Sequence, residues 1–315
     1  MEVLLFIGIF IASLTALLFA SDWFTDAAEE IGTAFGIPSF IIGLTIVALG
    51  TSLPELATSI ISVIQSNSEI VVGNVVGSNI TNIGLVLGGV LIYARFVRLE
   101  YNIWHIDMSF LWGSAFFLWL VVYDGRVSWL ETILLIGLLV IFLFYSLQTN
   151  TDDDGDNLPT QKKKRDKIRP FTVGKLIVSA ILVWKGADYT IYAIVGISKV
   201  IGFAPEYIAL SAVVLGTSLP ELFVSLSAIR KGNAGIAIGN VLGSNIFNTF
   251  AVMGVSSIFG PLKIPDNVLY FYIPTMIIFT ILFGIISNNK KLTRWEGYLL
   301  LTFYVLYLGE IFQNL

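Results

Sequence analysis

The chain has 315 residues, of which 56% are hydrophobic and 13% are charged, and its formal net charge is −4. Soluble domains carry about 25% charged residues, so this composition is typical of an integral membrane protein made mostly of membrane spans. The absence of cysteine excludes disulfides and thiolate metal sites, and the single His105 excludes a multi-histidine metal centre. No Ser-His-Asp arrangement and no HExxH motif is present, so we do not expect an enzyme.

Apolar runs of roughly 20 residues, long enough to cross about 30 Å of hydrocarbon, recur along the whole chain. The first run lacks a basic flank and a small-residue cleavage site, so it is interpreted as a span and not as a cleaved signal. The runs cover residues 3–20, 37–64, 70–94, 105–123, 128–147, 171–198, 205–229, 235–260, 267–287 and 296–313. The sequence therefore predicts an all-α integral membrane protein with ten transmembrane helices.

One segment, residues 148–170, is polar and rich in charge, and it divides the chain almost in half. It is interpreted as a solvated linker between a first five-helix unit (1–147) and a second one (171–315). The side of the membrane that holds this linker also receives most Lys and Arg residues, whereas the other side receives Arg126, Lys199 and Lys263. This bias predicts a multi-pass cell-membrane protein with a cytoplasmic linker and both termini outside.

The two halves are related by one constant offset of 166 residues. Residues 50–56 read GTSLPEL, and residues 216–222 repeat them at every position. Residues 73–82 (GNVVGSNITN) match residues 239–248 (GNVLGSNIFN) at all but two positions. Because each half has five spans, the second half enters the membrane in the opposite sense. The pattern predicts two inverted-topology repeats of five helices, as in secondary transporters, with a site near the bilayer midplane.

The GTSLPEL motif places a carboxylate beside a proline at membrane depth. Pro54 has no N–H, and its ring opposes the carbonyl of Gly50, so we expect a helix break with a freed carbonyl. Thr51 and Ser52 precede Glu55 by four and three residues, so their oxygens can converge on one side of this break. Alternatively, Ser52 and Glu55 form a capping box that restarts the helix. The second copy supplies Thr217, Ser218 and Glu221.

The second motif lines one helix stripe with amides and hydroxyls. Asn74, Ser78 and Asn82 recur every four residues, and they are interpreted as neutral oxygen ligands opposite the glutamates, or as interhelical hydrogen-bond donors. Asn79 lies off the stripe and is expected to be structural, as is Asn245. Glycines four residues apart in each copy (73 and 77, 239 and 243) allow close helix packing. The second copy of the stripe is Asn240, Ser244 and Asn248.

The combined ligand set is all oxygen: two carboxylates, hydroxyls, amide carbonyls and backbone carbonyls. Such a set suits Ca²⁺, which takes six to eight oxygen ligands in flexible geometry, whereas softer metals prefer nitrogen or sulfur. One Ca²⁺ neutralises the two carboxylates, and Na⁺ ions or protons can neutralise them instead. Competition of these cations for the same carboxylates is a physical basis for exchange. An empty site with two negative charges is costly in the membrane, so the empty carrier should resist reorienting.

At these motifs the sequence resembles the prokaryotic sodium/calcium exchangers of the cation/Ca²⁺ exchanger superfamily. The resemblance covers both halves, and the GNAxEL-type motif typical of proton/calcium exchangers is absent. It implies a Na⁺/Ca²⁺ antiporter with four cation sites between spans 2, 3, 7 and 8. It also implies a role for each motif position: Glu55 and Glu221 as central ligands, Thr51 and Thr217 at calcium, Asn82 facing the centre, and Ser52, Ser78, Ser218, Ser244 and the carbonyls of Ala48 and Val214 at sodium.

Asn248 stands where archaeal and potassium-dependent relatives often carry aspartate, which argues against potassium dependence. A proton-driven or potassium-dependent calcium exchanger is the alternative, and a cation channel is the candidate from another class. We expect no cofactor, no nucleic acid and no obligate protein partner; Ca²⁺ and Na⁺ are substrates, and the bilayer is the environment. Asp22 and Asp188 are expected at helix ends, and Lys185 is expected to pair with Asp188.

Overall fold

The computed structural model describes residues 2–99, 103–104, 107–148, 169–201, 218–288 and 291–313. These residues are mostly helical, and two short strands, β1 (Phe96–Arg98) and β2 (Lys291–Thr293), pair in antiparallel. The helices are α1 (Glu2–Ala34), α2 (Ser39–Ile64), α3 (Glu69–Ala94), α4 (Asp107–Val122), α5 (Trp129–Gln148), α6 (Pro170–Ile201), α7 (Leu219–Arg230), α8 (Ala234–Ser256), α9 (Val268–Ser287) and α10 (Arg294–Gln313).

Within the described part, seven helices are long and apolar enough to cross a membrane: α1, α2, α3, α5, α6, α8 and α9. Helix α4 is apolar but shorter. Helix α8 lies at the centre, because every residue in its most apolar stretch is buried, whereas α1 and α5 expose most of theirs. This gradient is expected for a bundle whose outer helices face lipid and whose central helix faces protein. The structure thus confirms a multi-span helical protein.

Helices α1 and α6 form a long pair on one flank of the bundle. Helix α1 has 33 residues, or about 50 Å at 1.5 Å per residue, so it extends well beyond the predicted span 3–20. The expectation that Asp22 and Asp188 lie at helix ends was therefore wrong, since both lie inside these helices. The predicted pair of Lys185 with Asp188 is present, with a 3.7 Å distance between nitrogen and oxygen.

The backbone around the first GTSLPEL motif is continuous, which corrects the predicted helix break. Pro54 lies inside an unbroken α-helical stretch, Ala48–Ile64. The irregularity lies upstream, at the π-helical turn Gly43–Val47. Proline is tolerated in membrane helices because neighbouring groups and local π adjustments satisfy the backbone. Thr217, at the start of the second copy, and Val214, which precedes that copy, lie outside the described residues.

Two further π-helical turns occupy corresponding places in the two halves. One begins at Asn82 within α3 (Asn82–Leu87) and the other at Asn248 within α8 (Asn248–Val252). The two asparagines are separated by the 166-residue offset of the sequence repeat. Single π turns inside α-helices are common at functional sites. The turns therefore mark the ends of the two polar stripes as places of special backbone geometry.

Helix α8 packs against the start of α2 with almost no space between the backbones. A Cβ atom at Gly239 would lie 2.2 Å from the carbonyl oxygen of Phe40, and one at Gly243 would lie 2.3 Å from that of Leu44. The reciprocal approach is as close, because a Cβ at Gly43 would lie 2.3 Å from the Ile236 oxygen. The predicted close packing is thus present for the second glycine pair. It brings the polar stripe of α8 next to the first GTSLPEL motif.

Candidate cation site

The two motif glutamates lie in the interior, on different helices. Glu55 on α2 and Glu221 on α7 are both completely buried, and α2 packs against α7. Neither carboxylate has a hydrogen-bond partner among the described residues, and none of the ion pairs found there involves them. Two buried like charges without a protein counter-charge are costly, which is the arrangement expected of a cation site.

Thr51 connects the first motif to the opposite half of the chain. Its hydroxyl lies 3.2 Å from Oδ1 of Asn240 and 3.4 Å from Oγ of Ser244, and it also lies 3.3 Å from the carbonyl oxygen of Ala48. Thr51, Asn240, Ser244 and the Ala48 carbonyl therefore meet, although they come from helices α2 and α8. The structure brings together residues that were proposed as ligands from sequence positions almost 200 residues apart.

The motif serines do not act as caps. Ser52 lies inside α2, and the Ser218 side chain precedes α7 without accepting a hydrogen bond from the first backbone N–H groups of that helix. Both hydroxyls are buried, and both lack a hydrogen-bond partner in the part of the chain that the structure describes. The capping-box alternative is therefore unsupported for either copy. A buried hydroxyl without a partner has an oxygen available for a cation.

The two polar stripes make equivalent contacts in the two halves. Nδ2 of Asn74 donates to Oγ of Ser59 at 3.2 Å, and Nδ2 of Asn240 donates to Oγ of Ser225 at 2.9 Å. Both residues of the second pair lie 166 positions after those of the first. Asn240 also donates to the backbone carbonyl of Glu221 at 3.4 Å. These bonds fix the amides against the helices that carry the two glutamates.

Four asparagines cross-link the halves at the ends of the stripes. Nδ2 of Asn82 donates to Oδ1 of Asn245 at 3.1 Å, and Nδ2 of Asn248 donates to Oδ1 of Asn79 at 3.2 Å. The 166-residue offset relates Asn82 to Asn248 and Asn79 to Asn245, so each bond is the counterpart of the other. Asn79 and Asn245 were expected to be structural because they lie off the stripe, but they contact two proposed ligands directly. Their positions between serine and isoleucine in both copies of GSNI were the available sequence signal.

The remaining proposed ligands are also buried where the structure describes them. Ser78 and Ser244 are almost fully buried, as is Ala48. The segment that begins at Asn248 packs against α2, and the segment that begins at Asn82 packs against α7. Each glutamate helix thus contacts the polar stripe of the opposite half. Among the described residues, no group of three or more His, Cys, Asp or Glu side chains could hold a metal ion. Two carboxylates with neutral oxygens instead suit a weakly held, exchangeable cation.

A bundle of apolar helices that buries carboxylates, hydroxyls and amides in its interior is typical of the class of membrane transport proteins. The sodium/calcium exchanger protein family matches residues 5–148 and 171–312 of the chain. The chain belongs to this family, and thus to the prokaryotic sodium/calcium exchangers of the cation/Ca²⁺ exchanger superfamily.

Individual relatives match over nearly the whole length. The sodium/calcium exchanger MaX1 of Methanosarcina acetivorans is 34% identical, and the alignment covers 96% of this chain and 97% of that protein. An uncharacterized membrane protein of Methanocaldococcus jannaschii is 31% identical over 97% of each chain. A solved structure of the sodium-calcium exchanger NCX_Mj, soaked with 100 mM Na⁺ and 10 mM Sr²⁺, is 32% identical, has a TM-score of 0.82, and covers 98% of each chain.

Proposed function

We propose that this chain is a secondary active Na⁺/Ca²⁺ antiporter that exchanges Na⁺ for Ca²⁺ by alternating access. Ca²⁺ and Na⁺ compete for a cluster of cation sites near the bilayer midplane, formed by Glu55 and Glu221 together with the hydroxyls, amides and carbonyls around them. The two carboxylates balance the two positive charges of one Ca²⁺, and Na⁺ ions can balance them instead. The full ligand set is Glu55, Glu221, Thr51, Thr217, Ser52, Ser218, Ser78, Ser244, Asn82, Asn248, and the carbonyls of Ala48 and Val214.

The observation that carries the proposal is the pair of fully buried, unpartnered carboxylates. Burying a charge costs several kcal/mol in a real protein unless something compensates it. The described residues place no lysine or arginine in contact with Glu55 or Glu221. Bound Ca²⁺, Na⁺ or protons would therefore supply the compensation. Because the charged empty site is the costly state, the carrier reorients when loaded, and this couples the two ions.

Contacts at the flank support the alternating-access mechanism. A small cavity lies between the long helix pair and both motif copies, and it is lined by Phe24 and Val183 on one side and by Thr51, Pro54 and Pro220 on the other. Helices α1 and α6 therefore border the site, and their movement would open it. The reciprocal contacts at the 166-residue offset support two inverted repeats of five helices, residues 1–147 and 171–315, joined by the linker 148–170.

Charged residues support the proposed orientation, with the linker in the cytoplasm and both termini outside. Arg98 and Lys291 are partners in the β1–β2 ladder, and Arg126 and Lys263 form a separate bridge. The sequence assigned the first pair to the side that is rich in Lys and Arg and the second pair to the other side. In each case, residues from distant parts of the chain meet at one end. The basic end is proposed to face the cytoplasm.

Ion flux in proteoliposomes tests the function. Vesicles loaded with Na⁺ are diluted into medium that contains labelled Ca²⁺, with choline, K⁺ or Na⁺ outside. We expect Ca²⁺ uptake that requires an outward Na⁺ gradient and does not require K⁺. Uptake driven equally well by a pH gradient would favour a proton/calcium exchanger, and uptake without any counter-ion would favour a channel. Either result would overturn the Na⁺/Ca²⁺ assignment.

A further inference from the structure

The amide of Asn79 is held in one orientation by a group that cannot rotate. Its Nδ2 lies 3.3 Å from the backbone carbonyl oxygen of Asn245 and 3.2 Å from Oγ1 of Thr249. A backbone carbonyl can accept a hydrogen bond but cannot donate one. The NH₂ group of Asn79 must therefore face that carbonyl. Its own carbonyl oxygen must consequently face the other way.

The orientation of Asn79 determines that of Asn248. Oδ1 of Asn79 is an acceptor and lies 3.2 Å from Nδ2 of Asn248. If the Asn248 amide rotated by half a turn, two carbonyl oxygens would face each other across this distance. The NH₂ of Asn248 is thus retained by Asn79, and its Oδ1 points away. That oxygen is buried and has no hydrogen-bond partner in the described part of the chain.

We propose that Asn79 is a positioning residue that makes Asn248 present its carbonyl oxygen, and not its NH₂ group, to the transported cation. This inference rests on the proposed cation site. An asparagine side chain carries a donor end and an acceptor end of nearly equal size. Only the acceptor end can coordinate Ca²⁺ or Na⁺, and the donor end would repel them. The fixed backbone carbonyl of Asn245 thereby orients the Asn79 amide, and the Asn79 amide in turn orients the Asn248 amide so that its oxygen faces the ion.

A double-mutant cycle on Ca²⁺ affinity tests whether Asn79 acts through Asn248. The variants are Asn79→Leu, Asn248→Ala and the double variant, and the measurements are the KM and kcat of Na⁺-driven Ca²⁺ uptake and the Ca²⁺ Kd in detergent. Losing one oriented oxygen should weaken affinity about tenfold, which corresponds to about 1.4 kcal/mol. As a single variant, Asn79→Leu should raise the KM for Ca²⁺ by this factor. In the Asn248→Ala background it should cause no further rise in KM, because its effect passes through Asn248.

Two outcomes would overturn the inference. One is multiplication of the two losses in the double variant, and the other is a lower kcat with an unchanged KM in Asn79→Leu, which is the signature of a merely structural role. If Asn79→Leu does not fold, Thr249→Val gives the same cycle, because it removes one acceptor of the Asn79 amide. We expect a KM rise of about threefold, near 0.65 kcal/mol, that disappears in the Asn248→Ala background.

A control and a reference assay separate the possible failures. Thr280→Val changes a buried threonine whose hydroxyl donates to the Met276 carbonyl of its own helix, 2.8 Å away, in a bond that involves neither Asn79 nor Asn248. This variant should leave KM unchanged, and a similar rise in KM would show that any buried threonine has the effect. If the unmodified protein shows no Na⁺-driven uptake, the proposed function fails. If it transports but the cycle is additive, the positioning role alone fails.

Discussion

Replacing Gly243 by alanine should disturb transport without changing any proposed ligand. The new Cβ would lie 2.3 Å from the Leu44 carbonyl oxygen and 2.7 Å from the Cβ of Ala48. Carbon atoms pack comfortably at about 3.5 Å, so the two helices must separate by roughly 1 Å. The obstacle is backbone and not the end of a flexible side chain, so a change of rotamer cannot relieve it. Such overpacking costs about 1–3 kcal/mol of folding stability.

The same separation would stretch the contacts between the halves at Thr51. Its hydroxyl lies 3.2 Å from Asn240 and 3.4 Å from Ser244, and both of these residues are on the helix that moves. A further 1 Å would bring these distances to about 4.2 and 4.4 Å, beyond hydrogen-bonding range. We therefore expect the KM for Ca²⁺ to rise by about tenfold, or 1.4 kcal/mol, and the melting temperature in detergent to fall.

Uptake in proteoliposomes and thermal melting in detergent measure the two effects. Gly113→Ala is a matched control, because no described residue would lie within 4 Å of a Cβ atom at this exposed helical glycine. Alanine there should leave KM unchanged and should raise stability by up to about 1 kcal/mol through helix propensity. An unaltered KM and melting temperature in Gly243→Ala would refute the claim that tight packing of α2 and α8 sets the site geometry.

Three further predictions concern single contacts. Glu55→Gln and Glu221→Gln should each abolish Na⁺-driven Ca²⁺ uptake, because each removes half of the site's negative charge; retained uptake in both would contradict the ligand assignment. In a double-mutant cycle of Asp22→Asn with Arg230→Gln, measured by thermal melting, we expect a coupling of about 0.2–1 kcal/mol that weakens in high salt; a zero coupling at low salt would count against it. Tyr304→Phe removes a hydroxyl 3.1 Å from that of a buried threonine, so it should cost about 1 kcal/mol of stability while KM stays constant, and a changed KM would link this contact to the site.

The apolar runs and the repeated motifs carried most of the predictable information. A helix that must cross hydrocarbon needs a long apolar stretch, so spans are visible in composition alone. The end of α1 was missed because a charged residue, Asp22, closes such a stretch in the sequence. In the fold that residue bonds to Ser227 and Arg230, and Glu30 accepts a bond from Thr172. The partners that allow the helix to continue lie on other helices, where local sequence does not show them.

The proposed site was partly predictable for the same reason. Thr51 and Glu55 are four residues apart in one helix, so the sequence could predict that they lie on the same helix face. The contact between Asn79 and Asn248 joins different halves of the chain, and Asn248 is also the first residue of a π turn. Likewise, the helix continues through Pro54 because its surroundings tolerate the missing hydrogen bond. Such tertiary compensation has no local sequence signature.

The ion pairs of α1 make the two halves unequal. Asp22 and Asp26 contact Arg230 and Lys231, which tie α1 to the end of α7. The counterparts of these two cations at the 166-residue offset are Ile64 and Gln65, which carry no charge and so cannot form an ion pair with a carboxylate.

Asp188, the counterpart of Asp22, instead pairs with Lys185 of its own helix. If the halves exchange roles as proposed, the Asp22–Arg230 and Asp26–Lys231 pairs have no mirror image, and only one access state would hold this ionic latch. At about 0.2–1 kcal/mol for each partly exposed pair, the latch would bias the resting population several-fold toward one side. The side of the membrane to which the resting carrier is open would thus depend on charged residues far from the transported ions.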